Sequence, residues 1–195
     1  MLAAVLLDLD DTLIPRTQSL RAALCAELES EIVVDRLMAL DAGGYGNRAD
    51  FLAEWSAASG EARDCTSPGK AIAEHLRPDE ALLAELSRLR DRLFVAIVTN
   101  GSSFTQRRKL RASGLDTVVP EDHTWISEEL GMKKPQPEIF RHACAQLRVE
   151  PSRCLHLGDQ LEIDVQGARE AGLQARLVRS PLDAAALRAL REELR

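Results

Sequence analysis

The chain has no surplus of positive charge. Its 195 residues carry 25 basic and 31 acidic side chains, a formal net charge of −6 at pH 7. A phosphate-backbone binder needs the opposite balance, so nucleic acid is a poor partner and a small ligand a better one. Long hydrophobic runs are missing too. No stretch approaches the roughly 20 apolar residues of a membrane-spanning helix, and the apolar start Met1 to Leu7 is too short, and lacks the cationic flank, for a signal peptide. The expectation is a cytoplasmic protein without a membrane partner. Cysteine is sparse: Cys25, Cys65, Cys144 and Cys154 are widely spaced with no CxxC pair, which speaks against a zinc site or a disulfide framework and leaves buried free thiols as the expectation. His123, His142 and His156 show no metal-ligand spacing. No internal repeat or low-complexity tract occurs. Lysine is scarce: Lys70, Lys109, Lys133 and Lys134 are the only four among the 25 basic residues.

What is present is ordinary globular composition, 45% hydrophobic and 29% charged, enough for one sizeable core plus an appendage. The run Leu2 to Leu7 reads as a buried strand and delivers Asp8, Asp10 and Asp11 to its carboxyl end, the edge on which open α/β sheets bind ligands. Packed like charges repel, which points to a cation there. From Pro15 to about Pro78 the apolar residues recur at helical spacing, broken by the glycine-rich turn Asp41 to Asn47. From Asp79 helices alternate with strands at Phe94–Thr99, Thr124–Ile126, Cys154–Leu157 and Ala175–Val178, and a closing amphipathic helix spans Leu182 to Leu194. The alternation predicts a doubly wound, Rossmann-like parallel α/β sheet, residues 1–14 and 79–195, with a small all-helical cap, residues 15–78, inserted after the first strand.

Polar residues follow four strands: Asp8 and Asp10; Thr99, Asn100, Gly101 and Ser102; Lys133 and Lys134; and Asp159 with Asp164. In a parallel sheet these ends lie on one edge, so the groups can converge. Carboxylates of this kind hold a hard divalent ion such as Mg2+, and a compact ammonium suits a point charge better than a guanidinium does.

The ordered strings DLDDTL, VTNGS, GMKKPQPEIF and LHLGDQLEIDVQGAREAG, spanning Asp8 to Gly172, resemble the four motifs of the haloacid dehalogenase-like superfamily in its phosphatase branch. The resemblance implies a magnesium-dependent hydrolase of a small phosphorylated metabolite. It makes Asp8 the nucleophile that forms an aspartyl-phosphate and Asp10 the general acid and then base. Thr99 and Lys134 become catalytic and phosphate-binding, with help from the backbone amides of Asn100 and Gly101. Asp8, Asp159 and the Asp10 carbonyl become metal ligands, supported by Asp164. The physics agrees, since a metal-held carboxylate can replace water as attacker and split one displacement into two.

Blander roles stand beside these. Asp11 is expected to serve the turn, Thr12 to satisfy the turn and orient Asp10, and Asp164 to cap a helix as well as support the metal. In the insert, Tyr45, Asn47, Arg48 and Trp55 are candidates for substrate selection, although Phe51, Leu52 and Trp55 fall at helical spacing and suit packing. Gly43-Gly44-Tyr45 is expected to reach over the site, opening to admit substrate and closing to exclude water. A sugar phosphomutase is the nearest enzymatic alternative. A phospho-acceptor signalling module uses similar residues, but in another order and without an insert after the first strand.

Overall fold

The computed structural model describes residues 1–179 and 181–194. Five strands, β1 (Ala4–Leu7), β2 (Phe94–Thr99), β3 (Thr124–Ile126), β4 (Cys154–Gly158) and β5 (Gln174–Leu177), form one parallel sheet in the order β3-β2-β1-β4-β5. The chain winds outward from β1 through β2 to β3, then returns to the other side of β1 for β4 and β5. Strand order therefore reverses beside β1, and a crevice opens there at the carboxyl ends.

Side-chain alternation divides the sheet between two apolar layers. Val5, Leu7, Val95, Ile97, Leu155 and Leu157 face a layer shared with Leu82, Leu86, Leu89 and Leu187. Ala4, Leu6, Ala96, Val98 and Cys154 face Ile139, Phe140, Ala143 and Ala168 on the opposite side. Helices α5 (Glu80–Arg90), α6 (Ser103–Ala112), α7 (Ser127–Leu130), α8 (Pro137–Leu147), α9 (Gly167–Glu170) and α10 (Ala184–Glu193) surround the sheet. Glu85 of α5 accepts from Arg188 and Arg191 of α10, closing the C-terminal helix onto the body.

Between β1 and α5 the chain forms four helices, α1 (Arg16–Glu27), α2 (Glu31–Asp41), α3 (Arg48–Ser59) and α4 (Ser67–His75), with no strand among these described residues. Their buried Leu20, Leu24, Leu37, Phe51, Trp55 and Ile72 belong to the same apolar cluster as Leu7 and Leu9. At the closest approach of α4 to α6, a Cβ on Gly69 would lie 2.4 Å from Thr105 Cγ2.

Two sequence expectations are corrected. Cys144 and Cys154 are buried, their sulfurs 3.3 Å apart, but Cys25 and Cys65 are exposed, Cys25 on the solvent side of α1 and Cys65 in the turn before α4. The helix expected from Asp164 begins earlier, as a π-helical turn over Leu161–Gln166 that passes into α9. Among the described residues, no helix is long and apolar enough to cross a membrane.

Candidate active site

Asp8 directly follows β1 and continues the parity of Ala4 and Leu6 toward the α8 layer. Its Oδ1 accepts from Lys134 Nζ at 2.5 Å, and the same ammonium reaches Asp164 Oδ1 at 2.6 Å. All three side chains are buried. Lys134 is fixed from behind, because Asn100 Oδ1 accepts its backbone N–H and Asn100 Nδ2 donates to its carbonyl, both at 2.9 Å. The Asn100 side chain is thus a clamp on the Lys134 backbone. The Gly101 amide, expected to face a phosphate, donates instead to Ser127 Oγ at 3.0 Å, so the structure ties it to α7.

Asp164 turns back beneath the end of β4. Its Oδ2 accepts the Gln160 N–H at 3.1 Å, and His156 Nε2 lies 3.2 Å from Oδ1. This return explains the π-helical turn and the glycine before Asp159: a Cβ on Gly158 would sit 2.2 Å from Asp164 Cγ, so no other residue leaves room. Oxygens of Asp8, Asp159 and Asp164 gather within 4.8 Å of one another.

Charge in this cluster is incompletely balanced. Burial pushes the Asp8 carboxyl up to about 7; Lys134 opposes that shift, and the negative charges of Asp164 and Asp10 reinforce it. Burial, with Asp164 and Asp11 nearby, also raises Asp159. Burial raises Asp164 less than Lys134 and His156 lower it, so it stays ionised. Burial holds His156 below its ordinary value despite Asp164. One ammonium among three carboxylates leaves room for a divalent cation, and an all-oxygen donor set suits magnesium or calcium rather than a softer metal.

Asp10 points away from that cluster. Lys109 Nζ donates to both of its oxygens at 2.8 Å, and Gln106 Nε2 reaches Asp10 Oδ2 at 3.1 Å and Thr99 Oγ1 at 2.6 Å. Burial raises the Asp10 carboxyl, but Lys109, Arg16 and the two hydrogen-bond donors outweigh it, leaving the group lowered and ionised. Its side chain lies outside the acidic cluster of Asp8, Asp159 and Asp164. The Thr12 hydroxyl is buried and has no hydrogen-bond partner among the described residues, so orientation of Asp10 falls to α6. Asp11, at φ 55°, accepts from the Thr17 N–H at 2.9 Å and its hydroxyl at 2.5 Å, capping the first turn of α1.

A cavity of about 270 Å³ opens over these groups. Asp8, Asp10, Thr99, Asp159 and Lys109 line its floor, while Gly43, Gly44, Tyr45, Arg48, Arg16 and Gly69 come from the helical insert. Arg16 is buried against Asp41, to which both of its terminal nitrogens donate. Arg48 Nη1 lies 3.6 Å from Asp41 Oδ1, buried and without a hydrogen bond among the described residues. The other two insert candidates are structural. Asn47 Oδ1 caps α3, accepting from Ala49 and Asp50, and Trp55 packs edge-on against Phe51 with its Nε1 donating to Glu27. Lys133 is exposed.

Sequence reasoning passed over Lys109, Gln106 and Arg16. The signal for Lys109 was its rarity, as one of four lysines, on the helix that starts at the VTNGS string.

The chain is 31% identical to glyceraldehyde 3-phosphate phosphatase of Methanopyrus kandleri over 193 residues, 89% of this chain and 82% of that one. It is 37% identical to N-acylneuraminate-9-phosphatase of Rattus norvegicus over 102 residues, 52% of this chain but only 40% of the relative. Against the rat protein the match thus spans less than half of the relative's length. The fold superimposes on HAD-hydrolase YfnB of Bacillus subtilis with a TM-score of 0.75 at 22% identity, covering 97% of this chain and 98% of that one. The family model of haloacid dehalogenase-like hydrolases matches residues 2–172. With that match spanning all four strand-end clusters, the chain belongs to the haloacid dehalogenase-like hydrolases.

Proposed function

We propose that the protein is a magnesium-dependent phosphatase of a small phosphomonoester, working through an aspartyl-phosphate on Asp8. The observation that carries this reading is the placement of Asp8: a buried carboxylate bonded to Lys134 at 2.5 Å, within 4.8 Å of two further carboxylates, at the floor of a cavity that a second group of elements covers. A cation held by Asp8, Asp159 and Asp164 supplies, when bound, positive charge to the phosphoryl oxygens and keeps Asp8 ionised.

The chain's own groups do the rest. Asp8 attacks phosphorus, and Lys134, beside it, offsets the charge gathered on the phosphoryl group. Thr99, one residue beyond Val98 at the end of β2, offers its hydroxyl to a phosphoryl oxygen. Asp10 gives a proton to the leaving oxygen and later takes one from the water that releases phosphate. The ionised state of Asp10 in this structure matches the second of those two tasks. Residues 15–78 form the cap, and the Gly43 to Tyr45 segment with Arg48 closes the cavity and selects substrate. A volume of about 270 Å³ lies at the low end for ligand sites and suits a small phosphorylated metabolite.

Purified protein assayed against phosphorylated metabolites, with magnesium and with chelator, tests the reading. Magnesium-dependent phosphate release is expected; isomerisation without release would favour a phosphomutase instead. Arg48→Ala and Tyr45→Phe should change KM or the ranking of substrates, and unchanged values across the panel would remove both residues from substrate selection.

A further inference from the structure

Gln106 and Lys109 sit three residues apart on α6, so they share one face, and that face looks into the site. They are 1% and 4% exposed. Burying an ammonium and an amide costs desolvation and side-chain entropy, yet neither side chain supports the helix itself. Among the described residues, Lys109 Nζ bonds only Asp10, at 2.8 Å to each oxygen. Gln106 Nε2 bonds Asp10 Oδ2 at 3.1 Å, Thr99 Oγ1 at 2.6 Å and the Asn100 carbonyl at 3.0 Å. The neighbouring arginines of α6 point elsewhere: Arg107 pairs with Glu129 and Arg108 lies 3.7 Å from Glu74.

We infer that Lys109 and Gln106 are positioning residues that lock the Asp10 carboxyl into register with Thr99, so that the proton carrier and the phosphoryl-binding hydroxyl are held as one unit. The inference rests on the proposed phosphatase reaction. In its first half an Asp8 oxygen bonds phosphorus, the bond from phosphorus to the ester oxygen breaks, and a proton that Asp10 has taken up from solvent beforehand passes to that oxygen. In its second half a water oxygen bonds phosphorus, the Asp8–phosphorus bond breaks, and the proton lost by water returns to Asp10. Both transfers need an Asp10 oxygen within hydrogen-bond reach of one point in the cavity. A lone aspartate can rotate about its two side-chain torsions; the ammonium spanning both oxygens and the Gln106 amide remove that freedom.

The test is leaving-group dependence of kcat/KM, which reports the steps through ester cleavage. p-Nitrophenyl phosphate releases an anion that needs little protonation, whereas glycerol phosphate releases an alkoxide that needs it. Lys109→Met should lose about a hundredfold on the alkyl ester and less than about tenfold on the aryl ester, the size of a general-acid contribution. Gln106→Met should show the same divergence with an added rise in KM, because it also holds Thr99. Equal losses on the two esters, or no loss, in folded variants would overturn the inference; circular dichroism establishes folding. Should Lys109→Met not fold, the comparison on Gln106→Met decides. A wild-type protein that releases no phosphate from either ester, or from the metabolite panel, overturns the phosphatase reading itself and the inference with it; an active wild type with equal losses overturns the inference alone.

Discussion

At the scale of single residues, the acidic cluster after β1 divides by direction. Asp8 turns to Lys134 and the other carboxylates, Asp10 turns to α6, and Asp11 turns back to cap α1. That division has a consequence for stability. The Asp8 carboxyl is raised from 3.8 to about 7 in the folded chain, so the folded state holds its proton more tightly than the unfolded state does. Its favourable contribution is complete below the unfolded value and is lost as pH rises through about 7. Asp8→Asn, neutral throughout, escapes that loss. In chelator, the difference in Tm between Asp8→Asn and the native chain should therefore move in the variant's favour from about pH 5 to about pH 8, as read by thermal denaturation. Magnesium should raise the Tm of the native chain more at the higher pH, because cation and proton compete for one carboxylate. A pH-independent difference would contradict the burial account of Asp8. The convergence of Asp8, Lys134 and Asp159 was legible in the sequence because Asp8 and Asp159 follow strand ends and Lys134 lies in the loop beyond β3 and α7 on the same edge. Lys109 was not, since a lysine on an amphipathic helix looks like a solvated one until the partner, on another element, is known.

At the scale of elements, two close approaches carry the geometry of the site. Gly158 lets the carboxyl of Asp164 fold back under β4, where a Cβ would stand 2.2 Å from Cγ. Gly158→Ala should displace Asp164, weaken magnesium binding at least tenfold and leave the strand order intact; titration of the metal against Tm reads it. Gly69 plays the same part between α4 and α6. Alanine would gain about 0.5–1 kcal/mol of helix propensity, but its Cβ would meet Thr105 Cγ2 at 2.4 Å, and overpacking of that kind costs about 1–3 kcal/mol. The clash should win, and Gly69→Ala should lower the Tm; a rise would show that α4 is free to move off α6. Strands were legible because buried parallel strands read as apolar runs. The turn at Leu161–Gln166 was not, because the widening of the helix is forced by Asp164 reaching Gln160 and Lys134 rather than by local propensity.

At the scale of the whole molecule, the sheet places Asp8 at the reversal of strand order, and the four helices after β1 cover it with Tyr45, Arg48 and Arg16 at the cavity wall. The alternation of helices and strands made the doubly wound sheet legible, and the missing strand pattern after β1 made the four helices from Arg16 to His75 legible. Tyr45 and Arg48 were legible as cavity residues too; that Asn47 and Trp55 turn elsewhere was not, because they satisfy capping and packing rules that their sequence spacing shares with a binding role. In the proposed reaction Asp8 carries the phosphoryl group. Acid quench of the enzyme during turnover of a phosphomonoester with magnesium, followed by peptide mass mapping, tests it directly. With p-nitrophenyl phosphate, whose leaving anion needs little protonation, a phosphoryl adduct is expected on the peptide containing Asp8, enriched in Asp10→Asn, where release by water is slowed by about a hundredfold or more, and no adduct and no turnover are expected in Asp8→Asn. An adduct on another residue, or Asp8→Asn turning over at the native rate, would contradict it.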